Sequence, residues 1–203
     1  MIITDSMHKY IELQRTGYGK NADIAKCYEG DIGRTYESIS DYLPNNCSRV
    51  LDIGCGLGGI DLMVYNHYNN HVYCKDNVEI NLLDYSKVDD KIHYGYQNTG
   101  SIYNSLELSK EFLVINGVDE SKIRIHNAEN EFPIGRFDII LSILSCGFHY
   151  PISTYLSYVQ GCLDGVAIFD IRKDTDQIEE LKDNFNEVEV IAEYKKCYRT
   201  MFK

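Results

Sequence analysis

The chain has 203 residues and carries 20 Lys and Arg against 31 Asp and Glu, a formal net charge of −11. That length fits one domain with a sizeable core, and the charge repels phosphate backbones, which disfavours a nucleic-acid partner. No apolar run approaches the ~20 residues of a membrane span, MIITDSMHKY lacks the apolar stretch of a signal peptide, and seven cysteines without a C-x-x-C pair read as reduced thiols, so the expectation is one soluble, cytoplasmic domain over 1–203 with no membrane partner.

From Asp5 to Leu43 apolar residues recur at helical spacing in two pieces, with Ile11 and Leu13 in one and Ile24, Ala25, Tyr28, Ile32, Tyr36 and Ile39 in the other. Pro44 ends the second piece, and the two glycines of RTGYGKN, Arg15 to Asn21, forbid a continuous helix between them. Residues 1–48 therefore read as a helical segment, either a cap over a ligand cleft or a packing layer with a joint. Arg49 to Leu62, RVLDIGCGLGGIDL, follows as a strand over Val50–Ile53, a turn carrying Gly54, Gly56, Gly58 and Gly59, and the start of a helix that runs to about Tyr68. Two segments compete for the second strand, VYCKD ending at Asp76 and the longer, more apolar VEINLLD ending at Asp84; the second is preferred.

Tyr85 to Gly100 is a polar insert, longer than the usual connection between a strand and a helix. A helix is expected over Ser101–Gly117, a third strand over Lys122–Asn127 and a fourth over Arg136–Ser145. The spacing then gives a helix over Ser153–Leu163, a turn at Asp164-Gly165, a fifth strand VAIFDIR and a helix over Asp176–Phe185. Glu187–Tyr194 and the closing CYRTMFK are two strands too close together for anything but an antiparallel hairpin. Strand and helix alternate throughout, so the fold class is α/β: a doubly wound, Rossmann-like, seven-stranded and mostly parallel sheet over 49–203, closed by that hairpin.

Gly54, Gly56 and Gly59 satisfy the dinucleotide spacing G-x-G-x-x-G. Asp52 argues for a different ligand, because a carboxylate just before the glycines repels a pyrophosphate and attracts a cationic head that has no phosphate. VLDIGCGLGG resembles the first motif of the class I S-adenosylmethionine-dependent methyltransferases, and the resemblance covers about Arg49 to Lys203. It implies S-adenosyl-L-methionine as cofactor and S-adenosyl-L-homocysteine as product. It also implies a site at the carboxyl ends of the strands, with Asp52, Gly54, Cys55 and Gly56 at the methionine part, Asp84 at the ribose, Asn127 and Ala128 at the adenine, and Ser142 at the tip of the fourth strand. Cys55 reads as a small buried residue rather than a reactive thiol.

SCGFHYP, INLLDYSKVDD, IHYGYQNTGSIYNSL and IFDIRKDT, spanning about Val78 to Asp176, are similar to a narrower subgroup described as sugar O-methyltransferases of bacteria and viruses. That similarity implies a small-molecule or glycan acceptor and transfer to a sugar hydroxyl, and it too selects Asp84 over Asp76. The tip of the fourth strand lacks the Asn or Asp followed by two prolines of amino-methylating relatives. Nor does it offer the acids that metal-dependent relatives use, so no metal is assigned. A sugar hydroxyl has a high pKa and gains from a base that takes its proton during transfer. His149 is the candidate, with a packing histidine as its alternative; His93 in the insert is a rival, and Tyr150, Asp170, Arg172 and Lys173 are candidates for gripping the acceptor. A methyltransferase and a non-catalytic S-adenosylmethionine-binding module are the two classes the sequence supports.

Overall fold

Seven short apolar segments cannot each hide two faces alone, and the chain solves this by hydrogen-bonding them into one sheet with helices on both sides. A computed structural model describes residues 1–14, 17–19, 22–69, 78–130 and 132–203. Asp76 and parts of RTGYGKN lie outside the described residues. The strands are β1 (Arg49–Ile53), β2 (Glu79–Asp84), β3 (Ile123–Asn127), β4 (Phe137–Ser142), β5 (Leu163–Arg172), β6 (Val188–Glu193) and β7 (Cys197–Phe202), in the order β3-β2-β1-β4-β5-β7-β6. β1 to β5 pair in parallel, and β7 runs antiparallel to both β5 and β6.

Alternation along each strand sorts the core into two layers. Val50, Ile80, Leu82, Ile139, Leu141 and Ile168 face helices α1 (Asp5–Gln14), α2 (Ile24–Glu37), α3 (Gly59–Asn69) and α4 (Leu106–Ile115). Leu51, Ile53, Ile140, Phe169 and Phe202 face α5 (Leu156–Cys162) and α6 (Gln177–Asn184). No helix among the described residues is long and apolar enough to cross a membrane. The six described cysteines are free thiols.

Three boundaries differ from the sequence expectation. β4 stops at Ser142, because Leu144 turns into the left-handed region at φ +53° and Ser142 Oγ accepts from Cys146 N at 2.9 Å. β5 runs straight through Asp164-Gly165: a Cβ on Gly165 would lie 2.2 Å from the Asp138 carbonyl oxygen, so this glycine permits a close strand approach rather than a turn. α4 begins only after Ser105, whose hydroxyl caps Leu108 N. Residues 101–104 instead continue the insert, whose two arms meet through Asp89 N to Ile102 O (2.7 Å) and Asn104 N to Lys87 O (3.1 Å).

Candidate functional site

β1 ends in the glycine turn at the centre of the sheet, where the strand order reverses and a crevice opens above the strand tips. Gly54, Gly56 and Gly58 have φ of +75°, +54° and +85°, a region other residues enter only with strain. Contacts close the turn from two sides. A Cβ on Gly54 would lie 1.8 Å from Ser145 Oγ, beyond β4, and one on Gly59 would lie 2.4 Å from Tyr28 Oη on α2.

A cleft of about 760 Å³ lies beside the turn, within the range of cofactor sites. Asp52, Cys55 and Gly56 form its floor; Gln14, Tyr28 and Asp31 of the N-terminal helices line one side. Leu144, Phe148 and His149 line another, with Tyr94 and Tyr103 of the insert above them. A smaller chamber of about 70 Å³ adjoins it, lined by Asp84, Asn104, Tyr150 and again Gln14, Gly56 and His149.

Asp84 stands at the tip of β2, opposite the turn. Its Oδ2 accepts from Gly56 N (3.0 Å) and Asn104 Nδ2 (2.9 Å), and its Oδ1 from Tyr85 N (2.7 Å). Burial pushes its carboxyl up to about 6, while those donors pull it down. Burial also pushes the Cys55 thiol well up, and Asp84, Asp52 and Asp61 add to the shift, so Cys55 stays a neutral thiol. Asp52 is 2% exposed and its Oδ1 has no hydrogen-bond donor among the described residues.

His149 presents its ring edge-on to Phe148, with centroids 4.8 Å apart. Burial lowers its pKa to about 4; Arg172, His93 and Lys196 add to the effect, and a hydrogen bond to the Gly95 carbonyl opposes it. His149 is therefore neutral at ordinary pH and able to accept a proton. Its main-chain carbonyl also accepts from Gln97 N at 3.0 Å, which ties the insert to the cleft.

The other sequence candidates divide. Tyr150 reaches the cleft wall, with its hydroxyl 3.2 Å from Ser145 Oγ. Arg172 lies over the Phe148 ring at 5.3 Å and pairs with Asp174. His93 is in the insert, with Nδ1 2.7 Å from Ser101 Oγ. Asp170 departs from its expected place at the acceptor: it is fully buried and takes both arms of Arg199, at 2.9 and 3.0 Å, plus Leu144 N at 3.2 Å. Lys173 likewise turns to Glu193 and lies over the Tyr198 ring, on the β5–β7 edge. Ser142 is fully buried behind the cleft wall, donating to Ile53 O at 2.8 Å. Asn127 Oδ1 accepts from Glu129 N, and Ala128 N donates to Asp84 O, at the tip of β3. Asn104, Gln14 and Asp61 escape a reading by motif; only Asp61, a charged residue in an apolar helix start, leaves a signal in the sequence. Among the described residues no group of three or more His, Cys, Asp or Glu could hold a metal ion.

No family model matches the chain. No curated protein matches it either. Solved structures do. A Nostoc punctiforme protein whose O-methyltransferase description is provisional superposes with a TM-score of 0.59 at 15% identity, over 86% of this chain and 56% of its own. The precorrin-6y C5,15-methyltransferase of Geobacter metallireducens gives 0.55 at 16%, over 82% and 85%. A T. thermophilus 16S rRNA methyltransferase in complex with AdoMet and guanosine gives 0.55 at 14%, over 92% and 43%. The chain thus spans about half the length of the first and less of the third. Sheet order, closing hairpin and these superpositions together give this chain the Rossmann-like fold of S-adenosylmethionine-dependent methyltransferases.

Proposed function

We propose that this protein is an S-adenosylmethionine-dependent methyltransferase that methylates a hydroxyl of a sugar or glycan. The observation that carries the reading is the pair of carboxylates that flank a positive-φ glycine turn, Asp52 in a cleft of cofactor size and Asp84 in the small chamber that adjoins it. Asp52, just before the glycines, opposes a pyrophosphate and suits a cationic head, and Asp84 suits a free ribose. Asp52 Oδ1, buried and without a donor, fits an ammonium; Asp84 Oδ2, at the tip of β2, fits ribose hydroxyls. Gly54, Cys55 and Gly56 present main chain to the methionine part, and Asn127 and Ala128 flank the adenine end, with Ser142 holding the wall behind.

The cofactor, when bound, supplies an electrophilic methyl group on a sulfonium. The residues of the chain position the acceptor and manage its proton. His149, neutral and facing the cleft, takes the hydroxyl proton as the new bond forms. Tyr94, Tyr103 and Phe148 give the flat apolar walls that suit a sugar ring, with Tyr150 in the adjoining chamber and Arg172 stacked over Phe148. The net charge of −11 works against an RNA or DNA acceptor.

Incubation with methyl-labelled cofactor and a panel of free sugars, nucleotide sugars and short glycans tests the acceptor. Label is expected on a sugar oxygen; label on RNA or DNA with none on any glycan would overturn the assignment. For the cofactor, Asp84→Ala is expected to weaken S-adenosylhomocysteine binding by about 1.5–3 kcal/mol, the scale of hydrogen bonds to a charged group. An unchanged dissociation constant in calorimetry would remove Asp84 from the site.

A further inference from the structure

Asp52 has a second buried acid close to it. Asp61 is in the first turn of α3 and is fully buried, and neither of its carboxyl oxygens has a donor among the described residues. Asp52 Oδ1 is in the same position. Two buried carboxylates side by side, with three oxygens lacking a donor, would be strongly unfavourable. One proton between them resolves the conflict, since a carboxyl O–H can donate to the neighbouring carboxylate.

We propose that Asp61 and Asp52 share one proton in the ligand-free protein, and that this proton leaves to solvent when the α-ammonium of the cofactor's methionine part settles against Asp52. The inference rests on the cofactor reading above. Asp61 is a positioning residue: Asp52 lines the cleft, and Asp61 stands behind it. The charges balance, since the pair passes from −1 to −2 as one ammonium arrives and one proton departs.

The surroundings support a shared proton. The two acids lie close enough for each to shift the titration of the other. Burial raises both, and Asp61 and then Asp84 raise Asp52 further. The charged group that acts on the pair is Asp84 from β2, and the neutral thiol of Cys55 lies in the turn beside them; near Gly58 Asp61 Oδ2 has the apolar Leu113 of α4 for a neighbour, and Lys26, Arg34 and Lys196 line the cleft that Asp52 borders. No cation is among the groups that shift either acid. The ligand's ammonium brings a positive charge against Asp52, and a positive charge beside a carboxyl favours its ionised form.

Linkage makes this measurable, because a proton lost on binding gives an affinity that rises with pH. The wild-type chain is titrated with S-adenosylhomocysteine at pH 7 in two buffers of different ionisation enthalpy, which yields the number of protons released. About one is expected. 5′-Methylthioadenosine, with the same adenine and ribose but no amino-acid part, is expected to release about one proton fewer, and it accounts for any share from Asp84. Asp61→Asn replaces the shared proton with a permanent amide donor of the same size, and its release with S-adenosylhomocysteine is expected to fall to that of methylthioadenosine. Binding of S-adenosylhomocysteine with equal release for both ligands, or with equal release in wild type and Asp61→Asn, would overturn the shared proton and leave the cofactor reading intact. If S-adenosylhomocysteine does not bind at all, the cofactor reading and this inference fall together. The wild-type contrast between the two ligands needs no variant to fold.

Discussion

His149→Ala is expected to lower turnover by ~10²–10⁴, the usual worth of a general base, while leaving the affinity for S-adenosylhomocysteine within about twofold. A hydroxyl oxygen that attacks a methyl group becomes an oxonium unless its proton leaves during transfer, so the base acts in the transition state and not in cofactor binding. The pH dependence sharpens the test. Histidine ordinarily titrates near ~6.5, but burial and the cations around His149 lower it to about 4. The base is then neutral above that value, and the wild-type rate should hold level from pH 8 down to about 5 before falling as His149 protonates. A limb near the ordinary histidine value of ~6.5 would show that His149 is not the titrating group. The same shift bears on stability: the folded-state pKa is depressed, so the unfolded chain binds more protons between about 4 and 6.5. The contribution of neutral His149 is complete above that window and is lost as pH falls through it. Wild-type turnover in His149→Ala would make it a packing residue.

Asp170→Ala should produce the largest loss of stability, about 3–5 kcal/mol, because it strands a buried charge. Arg199 is 3% exposed and its guanidinium meets Asp170 through two hydrogen bonds. Replacement of the whole pair by apolar residues could be tolerated; removal of the carboxylate alone leaves the cation buried with only neutral partners. Those partners are Ser38 Oγ at 2.6 Å, Tyr194 Oη at 3.1 Å and the Thr35 carbonyl at 3.5 Å, so Arg199 also pins the end of α2 to the sheet. Leu144, held in the left-handed region beside the cleft, loses its acceptor in the same variant. Thermal melting is expected to fall by about 2–4 °C for each kcal/mol in a chain of this size. Asp170→Asn, which keeps one acceptor for Leu144, should lose less. A loss under about 1 kcal/mol in Asp170→Ala would show that the pair is not a structural tie.

Features written in local chemistry are the ones legible in the sequence. The glycine turn is readable because its backbone needs positive φ at Gly54, Gly56 and Gly58 and only one residue type supplies that cheaply. The doubly wound sheet follows from the alternation of strands and helices, and its antiparallel strand from the closing hairpin, whose short connection leaves no other geometry; the order of the strands has no such signature. Partners made at long range leave no such trace. Asp170 reads as an acid at a strand tip, available for an acceptor, until β7 places Arg199 against it 29 residues later. Asn104 reads as part of a helix, yet it ends the insert and donates to both Gly56 O and Asp84. Ser142 sits where a cofactor contact is expected, but its hydroxyl is committed to joining β1 to the turn after β4. Gly165 shows the same limit in reverse: a residue that usually marks a turn stands within β5, against Asp138 of the neighbouring strand.

On the proposed function, the cleft beside Gly54–Gly59 takes S-adenosylmethionine and not a dinucleotide. Calorimetric titration of the wild-type chain with S-adenosylhomocysteine and, separately, with NAD tests it most directly. S-adenosylhomocysteine should bind at one site per chain, with NAD giving no heat of binding at the same concentrations, because Asp52, just before the glycines, opposes the pyrophosphate. Saturable NAD binding with no response to S-adenosylhomocysteine would contradict the account.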